Sequence, residues 1–147
     1  NLTPSAERVI GYRQALQERS LSVNEALIRK GDFHPHSGYL AVSELLNCQP
    51  RPTAIFICND MMAIGALRAL SEAGLRVPLD CSLVGYDDIE LASYVTPPLT
   101  TIRQDKNAIA EAAVQLLVER IAEPTLPART RILPTHLVER QSTRRIA

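Results

Sequence analysis

The sequence predicts an α/β fold, a parallel sheet flanked by helices. Two observations carry this. The first is a pair of short apolar runs, Ala54-Ile55-Phe56-Ile57-Cys58 and Ser82-Leu83-Val84-Gly85-Tyr86, each ending on polar residues: Asn59-Asp60 after one, Asp87-Asp88 after the other. One helical stretch separates them, and a strand–helix–strand unit of this length suits a parallel crossover. The second is composition: 46% of the chain is hydrophobic but only 4% aromatic, so the core must be aliphatic. Parallel strands place their carboxyl ends on one sheet edge. Asn59, Asp60, Asp87 and Asp88 should therefore line the edge where open α/β sheets bind ligands.

At 147 residues the chain has the length of one domain. Its 16 basic and 16 acidic residues cancel, which leaves no electrostatic footprint for nucleic acid within this stretch. The tail Arg140–Arg145 is locally basic but short, and reads as a solvated terminus. No apolar run approaches a membrane span. Cys48, Cys58 and Cys81 have no metal-type spacing and read as free thiols of a reducing compartment.

The elements follow in chain order. Thr3 can cap a first helix, with Pro4 at its first position and Val9, Tyr12 and Leu16 on its inner face. On spacing alone, Arg8 of this helix reads as a solvated surface arginine. Glu25–Arg29 is a short strand candidate, ended by Gly31-Asp32. Phe33-His34-Pro35-His36 is loop. Phe33 is core or a stacking surface, and the His34-x-His36 pair lacks a third ligand for a metal. Ser37 then caps a helix to Leu46, with Tyr39, Val42, Leu45 and Leu46 inward.

Pro50 and Pro52 break the chain before the central strand. Asp60 is a good N-cap for the next helix, Met61, Ile64, Leu67 and Leu70 repeat along one face, and Gly74 suits the position after its end. Leu75–Pro78 is a turn. Pro97-Pro98 stiffens a connector. Leu99–Arg103 has strand character, and Asn107–Ile121 is an amphipathic helix with a stripe of Ile109, Ala113, Leu116, Leu117 and Ile121. Arg131–Leu133 and His136–Val138 are short strands split by Pro134.

Phosphate-binding glycine loops, the G-x-S-x-G elbow and H-E-x-x-H are all absent from the sequence. The acidic group Asp60, Asp87 and Asp88 admits a Mg²⁺-dependent phosphoryl-transfer enzyme as one reading. Binding fits better. A sugar or nucleoside wants carboxylate and amide groups for paired hydroxyls, a guanidinium donor and an aromatic face. Asp87 and Asn59 supply the first; Arg8 and Phe33 supply the rest if they reach the same edge.

Eight short motifs recur in an order that resembles the lactose/galactose repressor family of bacterial transcription regulators. They are Arg8-Val9-Ile10-Gly11-Tyr12, Gly31-Asp32-Phe33 with Ser37-Gly38-Tyr39, Arg51–Phe56, Asn59–Gly65, Val77-Pro78, Val84–Asp88, Pro97–Ile102 and Arg140–Thr143. The resemblance implies a two-lobed fold like type I periplasmic sugar-binding proteins, with ligand between the lobes. It implies that Arg8, Asn59, Asp87 and Gln104 hydrogen-bond the effector and that Phe33 stacks on it. His34, Asp60 and Tyr86 stand beside these as further candidates.

It also implies no enzyme activity, no cofactor, no metal and no membrane partner. The setting would be cytoplasmic, the effector sugar- or nucleoside-like, and operator DNA would be bound by a helix-turn-helix domain not in this stretch. A homodimer would use the helix Met61–Ala73. Residues 1–147 would be the carboxy-terminal part of the effector domain, the second lobe plus segments that return to the first. The stripe on Asn107–Ile121 should then lack its cover and self-associate or dock. A periplasmic sugar-binding protein is the nearest alternative.

Overall fold

The structure, a computed structural model, describes residues 3–145. Within these residues lie four α-helices and four strands. Helices α1 (Thr3–Glu18) and α2 (Pro35–Leu45) precede strand β1 (Ala54–Phe56), helix α3 (Asp60–Glu72) and strand β2 (Ser82–Asp87). Strand β3 (Thr100–Gln104), helix α4 (Lys106–Ala122) and strand β4 (Thr135–Val138) follow. The sheet order is β1-β2-β3-β4. The first three strands are parallel, with Phe56 opposite Val84 and Val84 opposite Thr100. β4 runs back antiparallel along β3, pairing Gln104 with Thr135. The crossover predicted between β1 and β2 is present, and α3 fills it.

The core lies between this sheet and the α2–α3 pair. Leu83 and Leu70 have no exposed surface, and Val42, Ile55 and Met62 are buried with them. The two helices touch at Gly38 and Gly65. A Cβ at Gly38 would collide with the Met62 carbonyl, and one at Gly65 with the Pro35 carbonyl. The helix axes approach so closely that hydrogen is the only side chain that fits. α3 ends as predicted. Gly74 takes φ +71°, and the Leu75 and Gly74 amides donate to the Leu70 and Ser71 carbonyls at 2.9 and 3.0 Å. That is a Schellman closure, which only a residue at ease in the left-handed region permits.

Several predicted details shift. Glu25–Leu27 is a 3-10 turn, not a strand, because the Asn24 side chain accepts the Ala26 amide and curls the chain. Pro35, predicted to sit in loop, opens α2 at its first position, where no amide hydrogen is needed. Ser37 lies inside that helix and closes the preceding loop, accepting from the Asp32 amide and donating to the His34 carbonyl. Asn59, not Asp60, caps α3. The buried face of α3 is Met62, Ala63, Ala66, Ala69 and Leu70, whereas Met61 is 37% exposed and Ile64 and Leu67 are half-buried at the flanks. Small residues face inward because α2 crosses there. Arg131–Leu133 forms no strand, and Ile132 is exposed. The capping expected of Thr3 and Pro4 falls outside the described side chains.

The tail is anchored rather than solvated. Ser142 is wholly buried. Its hydroxyl donates to the Leu83 carbonyl at 2.6 Å and accepts the Thr100 amide at 2.7 Å, stitching β2 to β3. On α4, by contrast, Ile109, Leu117 and Ile121 are exposed, Leu116 is half-buried, and Ala112 is the buried position.

Candidate functional site

Three strands deliver their carboxyl ends to one edge, and the polar residues there are held by specific bonds. After β1 the chain passes Cys58 and reaches Asn59. Its side-chain carbonyl accepts the Met62 amide at 2.9 Å and starts α3; its NH₂ donates to the Phe33 carbonyl at 2.9 Å. Asn59 therefore ties two elements together, capping one and gripping the loop that presents Phe33. Phe33 itself has φ +68°. A bulky residue is costly in that region, by about 1–3 kcal/mol. The Asn59 bond is one of the contacts that hold it there.

β2 ends in a similar contortion, with Asp87 at φ +112° and Asp88 at φ +50°. Of the four non-glycine residues with positive φ among the described residues, three (Phe33, Asp87, Asp88) lie at this edge. Such strain persists only where the surroundings enforce it, and it clusters at ligand sites, which makes this edge the candidate. The turn sends the two carboxylates in different directions. Asp87 remains at the edge, where Gln104 at the end of β3 donates to it at 2.7 Å. Asp88 turns back and is clamped by Arg103 at 2.6 Å and Arg140 at 2.7 Å. Burial works against ionisation of Asp88. The bonds from Arg140 and Arg103 outweigh it and hold the carboxyl below its usual range.

Arg8 reaches this edge from α1. One terminal nitrogen donates to the Cys58 carbonyl, and the other stands 3.8 Å from the Asp87 carboxylate. The guanidinium lies 3.8 Å from the centroid of the Tyr86 ring. Its side chain is only 14% exposed, so the spacing-based reading of a solvated arginine is wrong. The cause is tertiary: a residue that spacing places on a helix surface reaches Cys58, Tyr86 and Asp87 at the strand ends. Arg8, Tyr86 and Gln104 line one wall of an open groove of about 730 Å³ between α1 and the sheet, completed by Tyr12, Phe56 and Ile102. A smaller apolar cavity of about 140 Å³ lies behind Arg8, between α1, α2 and β1.

Two of the further candidates do not line the groove. Asp60 has no exposed surface; its carboxylate accepts the Thr101 hydroxyl at 2.6 Å and the Ile89 amide at 2.9 Å. Burial pushes its carboxyl up, and those two bonds pull it back toward ionisation. Its role is to lock α3 to β3. His34 is exposed and uses its amide on Asp32. Tyr86 sits against the Arg8 guanidinium at the edge. Among the described residues, no three His, Cys, Asp or Glu side chains converge as a metal site would require. Asp60 is internal, Asp88 is doubly paired and Asp87 holds Gln104, so the carboxylates do not gather around a common point. The Asp88 clamp is what sequence reasoning missed. Nothing in the separation of residues 88, 103 and 140 signals it.

The residues that remain at the edge are a carboxylate, an amide, a guanidinium and an aromatic ring beside an open groove. That set recognises neighbouring hydroxyls and an apolar face.

A model of the periplasmic binding protein-like domain matches residues 1–143. Among curated proteins, the HTH-type transcriptional repressor PurR of Klebsiella pneumoniae subsp. pneumoniae is 47% identical over 137 residues, which cover 93% of this chain and 40% of that protein. The ribose operon repressor of Escherichia coli K12 is 44% identical over 140 residues, covering 95% and 42%. The chain thus spans about 40% of the length of these relatives. Among solved structures, a complex of the transcriptional regulator CelR with cellobiose superposes with a TM-score of 0.89 at 39% identity, over 93% of this chain and 42% of that one. The lac repressor dimer bound to operator and an anti-inducer superposes with a TM-score of 0.84 at 36% identity, over 95% and 48%.

Proposed function

The chain belongs to the periplasmic binding protein-like domain family, among its LacI-type regulators, and from that premise we propose that it is the effector-sensing part of a transcriptional repressor. In this reading residues 1–147 are the second lobe of the effector domain plus the segments that return to the first. A small sugar or sugar-like molecule binds at the edge formed by Arg8, Phe33, Asn59, Asp87 and Gln104. Operator DNA is bound by another domain of the protein, which works in the cytoplasm. No described helix is long and apolar enough to cross a membrane.

One observation carries the reading. The Arg8 guanidinium and the Asp87 carboxylate face each other at 3.8 Å, too far for a direct hydrogen bond. An effector hydroxyl placed beside both would accept from one and donate to the other. Such charge-assisted pairs fix a sugar's orientation, while Phe33 covers its apolar face. Closure of a second lobe over the ligand would then couple effector affinity to operator affinity.

The relatives point to ligands of this class: one is named for the ribose operon and one is solved with cellobiose. The test is isothermal titration of the full-length gene product with ribose, cellobiose and adenosine, as wild type and as Asp87→Ala. At least one ligand should bind the wild type, and the substitution should weaken it by about ten-fold or more, the cost of a lost charged hydrogen bond. Unchanged affinity removes Asp87 from the site.

The dimer seen in the lac repressor structure suggests the same assembly here. Its contact would include the outer face of α3, where Met61 is exposed and Ile64 and Leu67 are half-buried.

A further inference from the structure

The geometry points to Tyr86 as a positioning residue for effector recognition, one that acts through Arg8 rather than by touching the effector. This rests on the effector-binding reading above.

Arg8 comes from a helix, and its long side chain must cross to the sheet edge to be useful. A flexible guanidinium would lose much of its binding strength to the entropy of being fixed. Three contacts remove that freedom here. The Cys58 carbonyl takes one terminal nitrogen, Asp87 sets the electrostatic direction of the other, and the Tyr86 ring supports the guanidinium at 3.8 Å from its centroid. The ring's π-face attracts the cation, an interaction that strengthens as water is excluded. Arg8 is 14% exposed at its side chain, so the pair is largely desolvated.

The ring has its own firm base. Tyr86 lies within β2, in parallel register opposite Ile102 of β3. It is also the residue before Asp87. One strand thus fixes both the support under the guanidinium and the carboxylate facing it, and sets the 3.8 Å gap between Arg8 and Asp87 from both sides. Loss of the ring would free the guanidinium to swing toward Asp87 and close the gap. The effector would then have to break a direct, hydrogen-bonded ion pair before it could bind, where now the pair stands open at 3.8 Å.

The role belongs to the ring and not to its hydroxyl, and it needs a planar cation above it. A lysine ammonium at position 8 cannot stack in the same way. This gives a test that a merely structural tyrosine would fail. Ribose, cellobiose and adenosine are titrated into the full-length gene product as wild type, Tyr86→Phe, Tyr86→Leu, Arg8→Lys and the double variant Arg8→Lys/Tyr86→Leu, with thermal unfolding measured alongside. Tyr86→Phe should bind within about two-fold of wild type, and Tyr86→Leu should bind about ten-fold more weakly. In the Arg8→Lys background, Tyr86→Leu should add less than about two-fold, because the two residues act as one unit.

Three results overturn the proposal: wild-type affinity in Tyr86→Leu, a Tyr86→Phe as weak as Tyr86→Leu, or a Tyr86→Leu penalty that persists undiminished when Arg8→Lys is also present. A loss of affinity in Tyr86→Leu matched by a general fall in thermal stability, equal in the Arg8→Lys background, likewise assigns the residue to packing. A wild type that binds none of the three ligands overturns the effector reading and this inference with it. That outcome is distinguishable, since it appears before any variant is made.

Discussion

Replacement of Asp88 by alanine should destabilise the protein by about 3 kcal/mol, well beyond an ordinary surface ion pair. The magnitude follows from the exposure of the three partners. The Asp88 side chain is 7% exposed and Arg140 is 18% exposed, so that pair is substantially desolvated. Arg103 is 55% exposed, and its share falls in the range of about 0–1 kcal/mol typical of surface pairs. The larger cost is the Arg140 guanidinium, left in a half-buried site with its bond to the Leu99 carbonyl at 2.8 Å but no anion. Breaking a fully buried pair costs about 3–5 kcal/mol, and incomplete burial places this one at the lower end.

Urea unfolding of the full-length gene product, followed by circular dichroism, provides the assay. The dependence on pH separates the ion pair from simple loss of packing. The folded state holds the Asp88 carboxyl below its unfolded value, so the stabilisation is fully present above about pH 4 and declines as pH falls through the folded value. The gap between wild type and Asp88→Ala should narrow in that window. A difference below about 0.5 kcal/mol at neutral pH, the scatter of ordinary surface substitutions, would refute the reasoning. So would a difference that stays constant down to about pH 3.

Met61→Glu places a charge on the outer face of α3 and should convert a dimer to monomer in sedimentation measurements without altering the far-ultraviolet spectrum; a dimer of unchanged affinity excludes that face. Burial pushes the Cys81 thiol up to about 11, and its side chain is 1% exposed. The native protein at about pH 8 should therefore leave Cys81 unmodified by an aromatic disulfide reagent, and denaturation should expose it; rapid labelling in the native state would contradict the burial. Because the folded state favours the neutral thiol, its contribution to stability holds below about pH 8.5 and is lost as pH rises through about 11.

The parallel unit was legible because its signals are local. Apolar runs that stop at Asn59-Asp60 and Asp87-Asp88 announce strand ends, and Gly74 announces a helix end. The cap of α3 was misplaced by one residue because Asn59 and Asp60 are both competent caps, and only the tertiary demand of Thr101 and Ile89 decides which one is drawn inward. The same holds for the inner face of α3. Larger side chains such as Met61 and Ile64 read as core, yet the glycine-mediated crossing of α2 selects alanines. Arg8 could not be assigned from spacing, since its importance depends on where α1 lies: the binding chemistry named it only on condition that it reached the edge, and Gln104 came forward through the resemblance to a known family alone. The buried Ser142 was hidden by the basic residues around it.

The pairing of β4 with β3 has a mechanical meaning. The chain leaves the sheet at Gln104, travels through α4 and returns at Thr135, and these two residues stand opposite each other. The excursion therefore rests on two adjacent feet, like a door hung on one narrow jamb. Rotation of the excursion about that jamb would leave the rest of the sheet in register and twist only the backbone beside Gln104 and Thr135. One of the feet, Gln104, is bonded to Asp87. A torque applied to the door would be felt first at the carboxylate.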